Sequence, residues 1–516
     1  MLARGLFGAA TLALVIALVG LRWSTARVWH YAVALEGGVP AMVYEPGPPV
    51  APGEGLVDAE RAPVVVLAHG FASNSGVLSS LARSIARAGY GVVVPDLRGH
   101  GQNRQPFSRE LLNGGLASDV DAAVLYARSH PRFDGEHVAV VGHSMGASAV
   151  LAYATQQPSV SAVIAISGGS PRRGTYPPPN TLVIWASGDP SRVRENARAL
   201  AAELAGAQQV RLDRVYGDPA RANAVKAVEI DGVDHVTIVY SDRAAAAVIE
   251  WLGSTLGKGV RPSSAADLRM PFSLLGVLAA LIALSSLAGA LTPLAPRLEL
   301  PAVERPVGAL ATLAGALAVG VLLASGGDVA SAGPLGFVPL LAGREALAFF
   351  LISGGVLGAV LMRRGQLSLG GLADRRMWGA AGVLFALAYL VLGSLLQPFS
   401  EMWLGPHRAP WALAGALLAL PFFAAKEWLL RCSGWRGVGL SVAGRVLTLA
   451  ALFIGVYTGA LPSILGIWMP LLGGLFVLFE LASFSLARSA PNPWIAGLFQ
   501  AFLVGWITAA TFPKDA

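Results

Sequence analysis

From residue 271 onward the chain is written in apolar blocks of about twenty residues, separated by short breaks rich in arginine, glycine or proline. The blocks lie near 271–293, 306–325, 345–362, 378–397, 410–425, 441–460, 464–486 and 494–511. Each approaches the ~20 residues a helix needs to cross about 30 Å of hydrocarbon. No bulk water is there to satisfy the backbone, so the blocks are expected as helices. Composition agrees: 54% of residues are hydrophobic and 13% charged, against about 25% charged in a soluble domain. The formal net charge of +7 reads as membrane-flanking charge. No Lys/Arg run with interleaved aromatics marks a nucleic-acid surface, so no nucleic-acid partner is expected. The single cysteine, Cys432, excludes an intrachain disulfide framework and a Cys-based zinc site.

The chain opens MLARGLFGAATLALVIALVGLRW, with residues 6–21 apolar, Arg4 before them and Arg22 and Arg27 after. This is a signal anchor or a cleaved signal peptide, Ser24-Thr25-Ala26 being a tolerable small-residue cleavage site. The anchor is the favoured reading. The expected organisation is an N-terminal anchor over 1–24, an α/β domain over 31–254, a linker over 255–270 and a transmembrane domain of about eight helices over 271–516.

Within 31–254, β-branched runs alternate with helical patterns. PVVVLAHG, GYGVVVPD, HVAVVGHS, SAVIAISG and TLVIWASGD look like strands buried on both faces. Helices are expected at GVLSSLARSIARAG, LASDVDAAVLYARSH, MGASAVLAYATQQ, VRENARALAAELAG and DRAAAAVIEWLGS. That alternation predicts a mostly parallel sheet with crossover helices. HYAVALEG and VPAMVYEPG are suited to an antiparallel edge hairpin.

Loop charge sets the expected orientation. The 363–376 loop, RRGQLSLGGLADRR, has four arginines against Asp374, and the 426–438 loop adds Lys426, Arg431 and Arg436. Loops at 398–409 and 461–463 are nearly free of Lys/Arg. The positive-inside rule places the arginine-rich loops in the cytoplasm and, counting back through three spans, the α/β domain outside it. Arg22, Arg27, Lys258, Arg261 and Arg269 vote the other way, but long translocated domains follow the rule weakly. The expectation is a multi-pass protein of a bacterial-type plasma membrane, in contact with membrane lipids.

Chemistry concentrates at VVGHSMGA, residues 140–147. A strand, HVAVV, runs through GHSMG into a helix, the context of a nucleophile elbow that lifts the Ser144 hydroxyl to the sheet edge. Gly142 and Gly146 suit a turn in which backbone crowds backbone. A serine hydroxyl needs a base. Of the eight histidines, only His235 follows Ser144 and precedes the membrane region. Asp189, ending TLVIWASGD between the two, is expected to orient the imidazole; Asp213 and Asp218 compete but follow no clear strand. Oxyanion donors are expected from the backbone N–H groups of Met145 and Phe71. His69 and His143 read as structural hydrogen-bonders, Asp96 as a loop-fixing residue and Asp234 as a solvated one.

These residues together, AHGF, PDLRGHG, VGHSMGA, the aspartate after WASG and the histidine in DGVDH, resemble the α/β-hydrolase superfamily over 60–254. Within it the chain is similar to serine esterases, lipases and dienelactone-hydrolase-like proteins. The resemblance implies an eight-stranded, mostly parallel sheet, catalytic roles for Ser144, Asp189 and His235, and oxyanion roles for Phe71 and Met145. It implies neither cofactor nor metal. A serine nucleophile argues against haloalkane dehalogenase or soluble epoxide hydrolase chemistry. The connection over 167–180, SGGSPRRGTYPPPN, is too short for a helical lid, so an open site for a small acyl ester or lipid-like substrate is expected.

Three other readings stand beside ester or thioester hydrolysis. An acyltransferase would use the same acyl-enzyme, as would a peptidase. A transporter, channel or sensor would keep the α/β domain as a regulatory module, with Glu480, deep in its block, as the group to examine. Arg344-Glu345 and Lys426-Glu427 are expected at span ends, and Arg445 is placed to snorkel.

Overall fold

The computed structural model describes residues 2–25, 28–46, 61–108, 110–111, 115–157, 159–169, 175–256, 267–291, 306–324, 335–369, 372, 374–430, 434–467, 469–489 and 492–515. Cys432 and most of the expected linker, including Lys258 and Arg261, lie outside the described residues, as do Arg27 and Arg431. The chain divides into two compact units. One comprises Met1–Leu21, Met270–Leu396 and Met402–Phe512; the other comprises Arg22–Arg269, Gln397–Glu401 and Pro513–Ala516.

The second unit is an α/β domain. In chain order it holds β1 (Trp29–Ala34), β2 (Pro40–Glu45), β3 (Ala62–Ala68), a helix α1 (Ser79–Arg87), β4 (Gly91–Pro95), α2 (Ala117–Ser129), β5 (Phe133–His143) and α3 (Met145–Gln156). Then follow β6 (Ala162–Ile166), β7 (Thr181–Gly188), α4 (Ser191–Leu204), β8 (Val215–Tyr216), β9 (Val225–Asp234) and α5 (Asp242–Leu256). The sheet order is β1-β2-β4-β3-β5-β6-β7-β9-β8. Strands β4, β3, β5, β6, β7 and β9 run parallel, whereas β1–β2, β2–β4 and β8–β9 are antiparallel. The expected edge hairpin is present, pairing Trp29 with Glu45 through Ala34 with Pro40. The sheet has nine strands rather than eight because the two-residue β8 adds an edge; a strand of two residues leaves no periodicity to read.

The central strands are buried on both faces, as their unbroken β-branched runs require: every residue of β3, β4 and β6 is buried. On one face Val65, Leu67, Val92, Val94, Val141, Ile164 and Ile166 pack with Leu81 and Ile85 of α1 and Val248, Trp251 and Leu252 of α5. Helices α2 and α3 also pack on the central strands, and their side chains are absent from that cluster. They cover the opposite face, giving a three-layer sandwich whose strand C-termini share one edge.

Two short stretches join this unit from far along the chain. The Asn74 side chain donates to the Ser400 hydroxyl at 3.1 Å and accepts from the Glu401 N–H at 3.0 Å. The Lys514 N–H donates to the Gly99 carbonyl at 2.7 Å, and its carbonyl accepts from Phe107 N–H at 2.8 Å. Arg269 is buried and forked onto Asp267, and it donates to the hydroxyls of Ser79 and Ser80.

The other unit is all helix in its long elements: Leu2–Thr25, which continues a few residues beyond it, then Arg269–Leu291, Pro306–Ala324, Gly343–Arg363, Arg375–Leu396, Ala409–Leu430, Gly434–Tyr457, Met469–Ser489 and Pro493–Thr511. Among the described residues seven helices are long and apolar enough to cross a membrane, the N-terminal one and six after residue 300. Arg269–Leu284 and Leu472–Leu481 are shorter apolar segments. These helices are compatible with a multi-pass membrane protein.

Two polar expectations change here, at Arg445 and at Lys426-Glu427. Glu480, the group to examine, faces its own bundle and an arginine: its Oε2 accepts from Ser441 Oγ at 2.5 Å and from Arg445 Nε at 2.8 Å. Arg445 therefore does not snorkel; it is buried in the same network. Lys426 and Glu427, expected at an interface, are also buried, 3.4 Å apart. Gln500 links the group, donating to Glu427 Oε1 at 2.9 Å and to Ser483 Oγ at 2.6 Å. Arg344 and Glu345 lie 3.8 Å apart and are half-buried.

Candidate active site

The site is built at the strand C-termini. Strand β5 ends at His143, Ser144 makes the turn and α3 starts at Met145. Ser144 has φ 53° and ψ −112°, a left-handed conformation that costs a non-glycine residue about 1–3 kcal/mol. The surrounding chain enforces it. The Ser144 N–H donates to the Ile166 carbonyl at 2.8 Å. A Cβ on Gly142 would strike the Gly146 carbonyl, and one on Gly146 would strike the Ala68 carbonyl. Both glycines are thus required by close backbone approach.

Three expected residues converge. His235 Nε2 lies 2.9 Å from Ser144 Oγ, and His235 Nδ1 lies 2.6 Å from Asp189 Oδ1. Since the carboxylate can only accept, Nδ1 carries the proton and Nε2 is free to accept from the hydroxyl. Among the described residues no other histidine ring meets Ser144. His235 follows β9, and Asp189 follows β7, two neighbouring strands.

Asp189 is buried, and burial alone would raise its carboxyl. The hydrogen bonds from His235, from the Ser167 hydroxyl and from the Ala186 N–H outweigh burial and hold it below the ordinary carboxylate range. The last two reach Oδ2 at 2.7 and 2.8 Å. An ionised, fully bonded carboxylate is what an imidazolium partner needs.

The two expected oxyanion donors sit on either side of this centre in the chain. Met145 is the first residue of α3, and Phe71 lies in the turn after β3. Among the described residues neither backbone N–H has an internal acceptor. The Phe71 ring packs edge-on against His100 and Phe107, with centroids 5.6 and 5.7 Å away.

The other polar residues hold loops. His69 Nδ1 donates to the Gly70 carbonyl at 2.8 Å and Nε2 accepts from Leu97 N–H at 3.0 Å. Asp96 accepts from Ser75 N–H at 2.8 Å and Gln102 N–H at 2.9 Å. Asp218 caps the turn Pro219–Arg221. Asp234 is more than a solvated neighbour of the base: its Oδ1 accepts from the Val236 and Thr237 N–H groups at 3.0 and 2.8 Å.

Two contacts escaped sequence reasoning. Ser167, at φ 47°, directly follows β6, the strand between the nucleophile and acid strands, and its hydroxyl reaches Asp189. A hydroxyl at the tip of that intermediate strand was the available signal. His143 reaches the base loop, its Nε2 lying 2.8 Å from the His235 carbonyl. The 167–180 connection holds no helix among its described residues; 170–174 lie outside them. Among the described residues no group of His, Cys, Asp and Glu side chains is arranged to hold a metal.

Residues 63–213 match the family described as alpha/beta hydrolase fold. Over 120 residues the chain is 32% identical to a thermostable monoacylglycerol lipase of a Bacillus species, covering 23% of this chain and 46% of the relative. Over 114 residues it is 33% identical to a monoacylglycerol lipase of Mycolicibacterium smegmatis, covering 22% and 39%. The chain thus spans less than half the length of the curated relatives it matches. A solved structure of a Mycobacterium tuberculosis puromycin-hydrolyzing peptidase shares 20% identity over 46% of this chain and 40% of its own, at a TM-score of 0.35.

Proposed function

We propose, from the premise that the first half of the chain is an α/β-hydrolase domain joined to helices of membrane length, that the protein is a membrane-bound serine hydrolase of carboxylic esters. The observation that carries the reading is the continuous contact from Asp189 through His235 to the strained Ser144 hydroxyl. The monoacylglycerol lipase relatives support an ester or lipid-like substrate.

In the proposed reaction His235 Nε2 takes the Ser144 proton as Oγ attacks the ester carbonyl. Negative charge gathers on the former carbonyl oxygen, where the Met145 and Phe71 N–H groups are available as donors. His235, now an imidazolium held by Asp189, returns its proton to the leaving alkoxide, and the alcohol departs. Water then enters, gives its proton to His235 and attacks the acyl-enzyme; collapse frees the acid and restores Ser144. A thioester would follow the same course with a thiol leaving. The membrane helices would hold the site near lipid, with the α/β domain on the extracytoplasmic side.

The test is turnover of p-nitrophenyl esters of increasing acyl length by the full-length protein in detergent micelles. Measurable hydrolysis that is lost in Ser144→Ala supports the reading. Equal hydrolysis by wild type and Ser144→Ala overturns it. Transfer of the acyl group to an added alcohol faster than to water would move the assignment to an acyltransferase.

A further inference from the structure

His143 is buried at the end of β5, next to the nucleophile, and the reaction as proposed makes no use of it. Among the described residues its ring has one polar contact, from Nε2 to the His235 carbonyl at 2.8 Å, and its Nδ1 has no partner. Nδ1 faces Gly70, where an added Cβ would lie 3.1 Å away. A carbonyl only accepts, so the proton sits on Nε2 and the ring is a neutral donor. Burial first, and then the charge on His235, push its pKa down to about 3. The ring therefore stays neutral while His235 is protonated and deprotonated beside it, ring centroids 5.2 Å apart. A cation there would oppose formation of the His235 imidazolium; a neutral donor does not.

We propose that His143 is a positioning residue that ties the main chain of the base loop to the nucleophile turn. The proposal rests on the Ser144–His235–Asp189 reading. Both ring nitrogens of His235 are already held, one by Asp189 and one by Ser144. Those bonds orient the ring without themselves holding the main chain of the loop that carries it. The third bond, to the His235 carbonyl, fixes the loop. It comes from the residue adjacent to Ser144, so one short piece of backbone sets the position of both nucleophile and base. On the far side, Asp234 braces the same loop by accepting from Val236 and Thr237.

A histidine that merely filled the core would act on stability alone. A positioning residue acts on the chemical step and is rescued by another N–H donor. The experiment compares His143→Leu and His143→Gln in the full-length protein, with p-nitrophenyl acetate as substrate and rates normalised to the folded fraction. Misplacing a reacting group by about 1 Å costs on the order of 100-fold, so His143→Leu is expected to lower kcat about 10- to 100-fold. KM should stay close to wild type, and His143→Gln should recover most of the loss. If leucine prevents folding, His143→Phe replaces it, keeping the ring volume without the donor. Wild-type kcat in the donor-less variant overturns the proposal, as does a glutamine variant equally impaired, or a loss confined to KM. Activity that survives Ser144→Ala removes the catalytic reading itself; an inactive Ser144→Ala beside a fully active His143→Leu removes the positioning role alone.

Discussion

The Asp189–His235–Ser144 cluster and the Lys426–Glu427–Arg445–Glu480 cluster both bury charge, and they close on it differently. In the membrane-type unit two cations face two carboxylates, and Gln500, Ser441 and Ser483 take up hydrogen bonds between them. Each of these cations lies beside a carboxylate, the arrangement expected of ionisable groups buried among apolar helices. In the α/β unit one carboxylate faces an imidazole, and the chain of contacts ends on a hydroxyl held in a strained turn. Burial of charge is common to both. Of these two clusters, among the described residues, the second alone ends on a strained hydroxyl, and it marks where chemistry is proposed.

The comparison can be broken most sharply at Ser144. Ser144→Ala should lower ester turnover by roughly 10,000-fold or more, with unfolding temperature unchanged. Asp189→Asn should cost about 1,000- to 10,000-fold in kcat, because the amide no longer selects the Nδ1–H form of His235. In the other unit, Arg445→Met breaks the buried Arg445–Glu480 ion pair and should destabilise the helices by on the order of 3–5 kcal/mol. Thermal denaturation reads that loss, and hydrolysis per folded molecule should stay near wild type. Ser167→Ala removes one bond to the Asp189 carboxylate and should lower kcat about tenfold.

A further effect is on pH dependence. Folded His143 has a pKa of about 3, against 6.5 for the free side chain. The unfolded chain therefore binds the proton first. The stability carried by the neutral ring is complete above about pH 6.5 and is lost as pH falls toward 3. Unfolding temperature measured across that window should fall less steeply for His143→Gln than for wild type. Equal slopes would show that the ring is not held neutral by its surroundings.

How much of this was legible depended on whether the constraint was local. Gly142 announces the turn at Ser144 because its crowding against Gly146 acts within five residues, whereas Gly146 is crowded by Ala68 on a distant stretch of chain. Asp189 stands out because a long apolar strand ends on it, and His235 because no other histidine lies between Ser144 and the apolar blocks. The parallel sheet was readable from continuous β-branched runs, the two-residue β8 was not. Ser167 and the His143 bond were hidden because they depend on how strand tips stack across the sheet, which no spacing records. Arg445 and Glu480 are 35 residues apart on different helices, and Lys426 lies near the end of its helix; periodicity marks such residues as polar without saying whether they find a partner inside.

The central claim is that Ser144 is the nucleophile, activated by His235. Its most direct test is mass-spectrometric mapping of the adduct left by a fluorophosphonate probe on the full-length protein. The account predicts a single adduct on Ser144 that forms rapidly in wild type and is nearly absent in His235→Ala. An adduct on another serine, or labelling of Ser144 at an undiminished rate without His235, would contradict it.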